Sequence, residues 1–396
     1  MSVVVIGGGL AGATAVTTLR DLGYHGPLTL IGAELHVPYE RPPLSKGILL
    51  GTSTFADACV HDLDWYAAHD VDLLLGSWVE SIDRERRTVH LGSAGGSGNL
   101  GDVGRVGSSG HSRQVGDDTL PYNTLLLAMG ADPRRLAWVD EVGRPVHTLR
   151  TIEDSLRLRD ALQPGARVRI IGAGWIGLEV AAAARLAGAE VTVFEVAVLP
   201  LVRVLGPEVA EVFAQLHRHH GVDLRLGVAV TPEDLADSDA IVVGIGAIPT
   251  TDLAEAAGLA VDNGILVDSQ LRTSDPHIYA VGDVANHDHP VLGRRIRVEH
   301  WDTSVEQAKV AAGNILGAGE DYARLPYFFT DQYDLGMEYF GSVGPDGYDR
   351  VEIEGADTVL AGGAFRAFWY RGDRVVAAMH ANDWDASDAV RERVTG

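Results

Sequence analysis

Two groups of glycines in this chain have the spacing that brings a peptide backbone close to a pyrophosphate. Each group follows the pattern G-x-G-x-x-G, and the glycines are Gly7, Gly9 and Gly12 in the first group and Gly172, Gly174 and Gly177 in the second. In this pattern the first glycine permits a tight turn, the second lets the backbone approach the phosphates, and the third lets a helix pack closely on a strand. The phosphates bind the unpaired amides at the start of that helix. The chemistry that these residues indicate is nucleotide binding.

The glycines lie between the elements that give the pattern this meaning. The apolar run Val3–Ile6 has no polar alternation, which predicts a strand buried on both faces, and a helix is predicted over residues 13–22. The second group follows a similar run at residues 168–171 and precedes an alanine-rich helix predicted over residues 178–187. A strand, a glycine turn and a helix together favour a dinucleotide site over the alternative of a glycine-rich turn with no ligand.

An acidic residue follows the next predicted strand in each group. Glu34 follows the strand Leu28–Ile31 and lies 22 residues after Gly12, and Glu195 ends the strand at residues 191–194, 18 residues after Gly177. A carboxylate about 20 residues beyond the glycines accepts hydrogen bonds from a ribose hydroxyl. Because both groups retain their glycines and their acid, the chain favours two functional sites over a duplication with one inactive copy.

Three further places in the sequence are candidates for these sites. Two buried strands end at Gly130 and at Gly246, and the strand predicted over residues 278–281 ends at Gly282-Asp283, which we expect to turn into a helix. Asp283 is then either a helix cap or a site residue. In the proline-rich loop at residues 36–47, Arg41 and Lys46 are positioned to neutralise a phosphate or lie beside a reactive ring, although solvated surface charges are the alternative.

The rest of the chain predicts a second kind of domain. A helix is expected over residues 62–70, a strand over 79–83, and a hairpin between 87–91 and 119–127, with a flexible glycine-rich connection at 92–117. A helix at 252–257 and a strand at 265–267 follow. From about residue 322 we expect a separate α+β domain, with antiparallel strands at residues 337–343, 350–354, 363–370 and 374–379 and a short terminal helix.

Composition excludes several classes of protein. The chain has 396 residues, of which 46% are hydrophobic and 22% charged, as in ordinary globular proteins. Its formal net charge of −23 argues against nucleic acid and anionic membranes as partners. We expect no signal peptide and no membrane helix, and the single cysteine, Cys59, favours a cytoplasmic location because it rules out an internal disulfide.

Several motifs together resemble a known family. The two glycine groups, the Gly-Asp motif and the runs PYERPPLSK, RTSDPHIYAVGDVA, RVEHWDTSVEQA and YFFTDQYD resemble the NADH-dependent ferredoxin and rubredoxin reductases of bacterial oxygenase and cytochrome P450 systems. The resemblance covers nearly the whole chain except residues 92–117. It implies an α/β fold with two Rossmann-like dinucleotide-binding domains, as in glutathione reductase, and a C-terminal α+β domain. The implied division is an FAD domain at 1–130 and 248–321, an NAD domain at 131–247 and the C-terminal domain at 322–396.

The resemblance also implies roles for individual residues. FAD would bind to Gly7, Gly9 and Gly12, with Glu34 on its adenosine ribose and Asp283 on its ribityl and phosphate side. Further FAD contacts would come from Arg41, Lys46, Val79, Gly130, Arg134 and Trp301. NADH would bind to Gly172, Gly174, Gly177, Glu195 and Gly246. The catalytic residues would be Glu153, near the nicotinamide, and Lys46, near the flavin. Met129 and Phe329 depart from the threonine and tryptophan usual in this family.

The electron acceptor follows from the cysteine count. A disulfide reductase of this kind needs a cysteine pair after its second strand, and residues 42–46 contain none, while Cys59 is interpreted as a small apolar residue. Electrons are therefore expected to leave for an external one-electron carrier. The resemblance implies that this carrier is an iron–sulfur protein, a [2Fe–2S] ferredoxin or a rubredoxin. The alternatives are a flavin reductase of a small acceptor such as monodehydroascorbate, a quinone or oxygen, and a redox-sensing flavoprotein similar to apoptosis-inducing factor. Monomer and homodimer both remain open.

An acidic carrier and an acidic reductase repel each other at long range. Local basic clusters must then provide the docking surface, because screening limits exposed interactions to about 8–10 Å. The first candidate cluster is Arg294, Arg295 and Arg297, and its alternative interpretation is the solvent face of a strand. The second candidate cluster is Arg366, Arg371 and Arg374.

Overall fold

The computed structural model describes residues 1–92, 105–106 and 118–395. Within these residues the strands are β1 (Val3–Ile6), β2 (Leu28–Ile31), β3 (Val71–Leu74), β4 (Val79–Asp83), β5 (Thr88–Leu91), β6 (Arg105–Val106), β7 (Thr119–Pro121), β8 (Thr124–Leu127), β9 (Ala131–Pro133), β10 (Val146–His147), β11 (Arg167–Ile171), β12 (Glu190–Glu195), β13 (Asp223–Leu226), β14 (Ala240–Val243), β15 (Ala247–Pro249), β16 (Ile265–Val267), β17 (Ile278–Ala280), β18 (Ala285–His289), β19 (Arg294–Ile296), β20 (Tyr327–Gln332), β21 (Leu335–Gly341), β22 (Arg350–Glu354), β23 (Phe365–Arg371) and β24 (Arg374–Ala381). The helices are α1 (Leu10–Asp21), α2 (Gly47–Leu50), α3 (Phe55–Ala58), α4 (Leu63–Ala68), α5 (Ala137–Asp140), α6 (Ile152–Ala161), α7 (Trp175–Leu186), α8 (Val202–His219), α9 (Pro232–Leu235), α10 (Asp252–Ala256), α11 (Trp301–Ile315) and α12 (Ser387–Thr395). Short 3₁₀ turns cover Pro42–Ser45, Gly282–Val284, Ala356–Ala361 and Trp384–Ala386.

The chain divides into two compact units. The first unit consists of Met1–Glu40, Ala58–Asp132 and Ile248–Arg324, and the second consists of Arg41–Asp57, Pro133–Ala247 and Leu325–Gly396. This packing does not test which nucleotide each part binds, so the four-part functional division given above stays a prediction. In the described part of the chain, no helix combines the length and the apolar character needed to cross a membrane.

The first unit is built around a parallel sheet in the order β17-β8-β1-β2-β3, with β6 added antiparallel to β3. Strand β1 lies at its centre, where Val3 pairs with Leu28 on one side and with Thr124 on the other. All four residues of β1 are buried, which is the reason that this run has no polar alternation. Helices α1 and α11 pack against each other in the same unit.

Two sequence-based expectations for the first unit are wrong. Residues 119–127 do not form one hairpin strand, because the chain divides after Pro121: β7 pairs with β5, whereas β8 enters the parallel sheet. The turn at Gly282-Asp283 does not lead into a helix either, since a single 3₁₀ turn is followed directly by strand β18. Apart from Gly92, Arg105 and Val106, the flexible connection expected at residues 92–117 lies outside the described residues.

The second unit contains two sheets. One is parallel throughout, in the order β10-β14-β11-β12-β13, and the other is antiparallel, in the order β20-β21-β24-β23-β22. The indole nitrogen of Trp369, on β23, donates to the carbonyl of Leu205 in α8 over 3.0 Å, so the antiparallel sheet is attached to this unit by a buried hydrogen bond. Strand β20 was missed by the sequence analysis. The fold class, two α/β nucleotide-binding sheets with a C-terminal α+β part, is confirmed.

Within the antiparallel sheet, Glu338 on β21 accepts three side-chain hydrogen bonds. The donors are His380 Nε2 at 2.7 Å, the Tyr327 hydroxyl at 2.6 Å and the Ser387 hydroxyl. The hydrogen bond from His380 has the largest effect and, together with those from Ser387 and Tyr327, lowers the pKa of Glu338 to about 2 against the opposing effect of burial. A lowered pKa stabilises the fold above the ordinary pKa of the carboxyl group, and this stabilisation is lost as the pH falls through the folded-state value.

We therefore predict that Glu338→Gln lowers the thermal unfolding midpoint at pH 7 and that the difference from the wild type narrows as the pH falls from about 4.5 towards about 2. Calorimetry across this pH range measures the difference. Substitution of the exposed Glu392 in α12 by glutamine is the matched control and should leave the midpoint unchanged. A gap between wild type and Glu338→Gln that stays constant with pH would contradict the assignment.

Candidate functional site

The first and third glycines of each group are required by contacts within the chain. A Cβ atom at Gly7 would overlap the carbonyl of Ala128, and one at Gly12 would overlap the carbonyl of Gly7. The second group repeats this arrangement, because Cβ atoms at Gly172 and Gly177 would overlap the carbonyls of Gly244 and Gly172. The start of each helix is thereby held against the end of its strand.

The second glycine of each group has no such reason to be glycine. A Cβ atom at Gly9 would meet nothing within 4 Å among the described residues, and one at Gly174 would meet only the Gly244 carbonyl at 4.0 Å. Both backbones are extended, with φ of −93° at Gly9 and −79° at Gly174, which any residue can adopt. The protein itself therefore leaves open the space that the backbone needs in order to approach a pyrophosphate.

The amides that follow are available to such a ligand. Helix α1 begins after Gly9 and helix α7 after Gly174, and glycine has no side chain that could cap the first amides. The first amides of a helix have no acceptor within the helix, and the helix dipole favours negative charge at this end. Each turn therefore fits a diphosphate.

The two predicted carboxylates differ in how they are held. In the second unit, Glu195 accepts hydrogen bonds from the amides of Ala173 and Ala197, each at 2.8 Å, so its side chain is tied to the glycine turn. In the first unit, Glu34 accepts a hydrogen bond from the Tyr39 hydroxyl at 2.5 Å. A carboxylate has about four acceptor sites, so Glu195 can also accept from ribose hydroxyls.

The Gly-Asp turn lies against the first glycine group. A Cβ atom at Gly282 would be 3.3 Å from both the Ala11 side chain in α1 and the Ser304 hydroxyl in α11, and the Gly282 amide donates to Gln307 Oε1 over 2.8 Å. These contacts place the neighbouring Asp283 beside the start of α1. Trp301 is the first residue of α11. Gly282 and Ala11, which are far apart in the sequence, are therefore neighbours in the first unit.

In the second unit, Lys46 forms an ion pair with an acid that the sequence analysis missed. Lys46 Nζ lies 2.9 Å from Glu179 Oε1, and Glu179 also accepts from the hydroxyls of Ser45 and of Thr330, the latter at 2.6 Å. Glu179 is only 4% exposed. The signal in the sequence was a single acid in the otherwise apolar run of α7 from Gly177 to Ala184. A buried carboxylate of this kind needs a partner.

The loop that carries Lys46 is also held on α6. The Arg41 guanidinium donates to the Arg150 carbonyl over 2.6 Å, and the Ser155 hydroxyl donates to the Leu44 carbonyl over 2.7 Å. Glu153 lies in the first turn of the same helix. The predicted residues Arg41, Lys46 and Glu153 therefore belong to elements that pack together.

The remaining predicted residues lie in both units. Arg134 donates its amide to the carbonyl of Gly246 over 2.9 Å, so these two residues are neighbours in the second unit. Val79 is buried in β4, and the carbonyl of Gly130 accepts from the Thr250 amide at 3.1 Å, both in the first unit. Two residues differ from those usual in the family. Met129 packs on the core of the first unit, and the ring of Phe329 lies 5.5 Å from Lys46 Nζ in the second.

Known proteins share this architecture. Residues 1–312 match the family described as "Pyridine nucleotide-disulphide oxidoreductase". This chain belongs to the pyridine nucleotide-disulphide oxidoreductase family. It is 39% identical to the ferredoxin–NAD(+) reductase component of the anthranilate 1,2-dioxygenase system of Burkholderia cepacia, over 96% of this chain and 90% of that protein. It is 35% identical to putidaredoxin reductase of Pseudomonas putida, over 96% of this chain and 88% of that protein.

A solved structure of a family member agrees with the fold. The covalent complex of putidaredoxin reductase with putidaredoxin contains a chain that superposes with a TM-score of 0.86 at 34% identity, covering all of this chain and 93% of that one. The resemblance inferred from the sequence is thus confirmed at the level of the family. The family name mentions a disulfide, but this chain has one cysteine, Cys59, and cannot form one internally.

The second glycines provide a direct test of the sites. We predict that Gly174→Ala leaves the thermal unfolding midpoint nearly unchanged, because the added methyl group meets no atom closer than 4.0 Å, yet raises the KM for NADH by about tenfold by displacing the diphosphate. Gly177→Ala is the matched variant, and it should destabilise the protein because its Cβ overlaps the Gly172 carbonyl. Steady-state kinetics and calorimetry measure both effects. An unchanged KM in Gly174→Ala would exclude this turn as the NADH site.

Proposed function

We propose that this chain is an NADH-dependent FAD reductase that passes electrons one at a time to an iron–sulfur carrier, which in turn feeds an oxygenase or a cytochrome P450. The observation that carries the proposal is the pair of glycine turns, each with an open second glycine, in a chain with a single cysteine. Two nucleotides have room to bind, and no internal disulfide can receive the electrons. The reductases of anthranilate dioxygenase and of putidaredoxin are similar over nearly their whole length, which supports the same use of this fold.

FAD fits the first unit. We assign its diphosphate to the turn at Gly7, Gly9 and Gly12, its adenosine ribose to Glu34 and its ribityl and phosphate side to Asp283. Arg41, Lys46 and Arg134, which the resemblance also assigns to FAD, belong to the second unit. When bound, FAD accepts electrons from NADH as a pair and releases them singly. Within the second unit, Glu179 holds the positive charge of Lys46 in place.

NADH fits the second unit. We assign its diphosphate to the turn at Gly172, Gly174 and Gly177 and its adenosine ribose to Glu195, with Gly246 nearby. The two amide hydrogen bonds on Glu195 hold its carboxylate beside the turn. A ribose 2′-hydroxyl can donate to this carboxylate, whereas a 2′-phosphate would bring like charge against it. Glu195 therefore makes the site selective for NADH.

We predict that the wild-type enzyme uses NADH at least about a hundredfold more efficiently than NADPH and that Glu195→Gln narrows this ratio by about tenfold, because the amide removes the negative charge while keeping an acceptor oxygen. The measurement is kcat/KM for both nucleotides with ferricyanide as acceptor. Glu190→Gln, at the exposed start of the same strand, is the control and should leave the ratio unchanged. Similar efficiency of the wild type with both nucleotides would refute the assignment of Glu195.

We propose that the carrier is a [2Fe–2S] ferredoxin. The two basic clusters differ in how far their charges are exposed for docking it. In the first cluster, Arg295 donates to the carbonyls of Val267 and Asn286, and Arg297 pairs with Glu299 and is only 10% exposed. Most of that positive charge is therefore used within the first unit. The second cluster is paired as well, since Arg366 forms an ion pair with Asp383 and Arg371 lies 3.7 Å from Asp346. We assign docking to it because Arg371 and Arg374 pair across the end of the hairpin β23–β24 and are both exposed.

The purified protein should hold FAD and transfer electrons from NADH to a [2Fe–2S] ferredoxin such as putidaredoxin. We predict that the double reversal Arg371→Glu with Arg374→Glu slows this transfer by about tenfold at low salt and leaves NADH–ferricyanide turnover unchanged, since a small acceptor needs no protein dock. Arg218→Glu, on the exposed face of α8, is the matched control. No reduction of any iron–sulfur protein, with rapid turnover of a quinone or of oxygen, would favour a reductase of small acceptors. Slowing by Arg294→Glu alone would return docking to the first cluster.

A further inference from the structure

A line of hydrogen bonds runs from Glu179 through the interior of the second unit to the turn between β20 and β21. The Thr330 hydroxyl lies 2.6 Å from Glu179 Oε1, and Gln332 Nε2 lies 3.2 Å from Thr330 Oγ1. On the other side of the same amide, Gln332 Oε1 lies 2.8 Å from His217 Nε2, and the Tyr333 hydroxyl lies 3.1 Å from His217 Nδ1. Thr330, Gln332 and His217 are completely buried. Such a line must satisfy its donors and acceptors internally.

The charge at Glu179 determines every proton position along this line. Its carboxylate accepts from Ser45 and Lys46 and has no proton to give. The single hydroxyl proton of Thr330 therefore points to Glu179, and the Thr330 oxygen must accept from the amide nitrogen of Gln332. The carbonyl oxygen of Gln332 is then turned towards His217.

The hydrogen bonds of the His217 imidazole also donate in the direction of Glu179. Because Gln332 Oε1 can only accept, His217 must carry its proton on Nε2, and its Nδ1 must accept from the Tyr333 hydroxyl. Burial lowers the pKa of His217 to about 4, so the ring is neutral near pH 7 and has one donor and one acceptor. All four hydrogen bonds therefore donate towards Glu179, and aligned hydrogen bonds polarise one another.

The far end of the line is held in an unusual conformation. Tyr333 has φ of 58°, a left-handed conformation that is rare for an aromatic residue. Its ring stacks on His220 with a centroid distance of 3.7 Å and an interplanar angle of 8°. A residue keeps a costly backbone conformation only where its surroundings determine it from several sides. The Tyr333 hydroxyl is therefore fixed on His217.

We propose that Thr330, Gln332 and His217 are positioning residues that hold the Glu179 carboxylate on Lys46. Without the Thr330 hydroxyl, the carboxylate would lose a donor that it cannot replace from water at this depth, and the Lys46 amine would be held less firmly. The inference rests on the proposed function only in giving Lys46 its place at the cofactor. The hydrogen-bond line itself belongs entirely to the second unit.

The lysine content makes this inference testable in the holoenzyme. The chain contains two lysines, Lys46 and Lys309, and Lys309 lies on the surface of α11 with a side chain that is 50% exposed. Acetic anhydride labelling followed by mass spectrometry therefore reports on Lys46 with Lys309 as an internal reference. Thr330→Val removes the hydroxyl at nearly constant volume, and Thr330→Ser is the matched variant that keeps it.

We expect Thr330→Val to raise the labelling of Lys46 relative to Lys309 at pH 7 by about tenfold and Thr330→Ser to stay within about twofold of the wild type, because a hydrogen bond to a charged group is stronger than one between neutral groups. Equal labelling of Lys46 in wild type and Thr330→Val would overturn the proposal.

A second measurement is made on the wild-type protein. Nitrogen-15 NMR of labelled histidines in the wild type should find the neutral His217 ring protonated at Nε2, with its resonances assigned by comparison with Tyr333→Phe. A proton on Nδ1 would contradict the direction of the line and overturn the proposal. Neither measurement uses NADH turnover or a carrier, so failure of the proposed function, seen as no reduction of an iron–sulfur protein, is distinguishable from failure of this inference.

Discussion

The close contact between the third and first glycines is the constraint on which the nucleotide sites depend. Because Gly12 approaches the carbonyl of Gly7 and Gly177 approaches that of Gly172, the first amides of α1 and α7 lie at the carboxyl ends of β1 and β11. In parallel sheets the loops that leave this edge converge there. Glu34, Glu195 and the Gly-Asp turn lie at or just after strand ends on this same edge of their sheets. A single backbone contact therefore places the helix amides that we assign to phosphates near the carboxylates that we assign to riboses.

The buried acid Glu179 connects this constraint to the chemistry. Glu179 lies two residues after Gly177. The glycine contact that positions the start of α7 against the end of β11 therefore also positions this carboxylate. It is buried, and its oxygens accept from Ser45, Lys46 and Thr330. A buried charge without such donors would be unfavourable by several kcal/mol. The ion pair therefore holds the loop at residues 41–57 to α7 and leaves Lys46 with one fixed orientation.

The antiparallel sheet contributes buried side chains that hold the second unit together. Its strand β20 supplies Thr330 and Gln332 to the hydrogen-bond line, and its strand β23 holds α8 through Trp369. Helix α8 in turn provides His217 to the same line. These contacts explain why this sheet packs with the parallel sheet as one unit, although their sequences show different periodicities.

The sequence alone predicted the glycine turns, the strands on either side of them and the family, because each depends on short-range patterns. The ribose contacts of Glu34 and Glu195 stay a prediction. Each of the two patterns, which consists of a strand, three glycines and a following acid, lies within about 35 residues of chain. The sequence assigned residues 119–127 as a whole to the hairpin, because only the sheet decides that β7 pairs with β5 and β8 with β1.

Only the tertiary structure decided the surroundings of Lys46. Glu179 and Thr330 are 151 residues apart, and His217 and Gln332 are 115 apart, so no local pattern could join them. The same holds for Asp283, whose place beside α1 depends on contacts with α11. The physical reason is that a hydrogen bond between buried side chains depends on which elements pack together, and that packing follows from the burial of apolar surface by the whole unit rather than from any one segment.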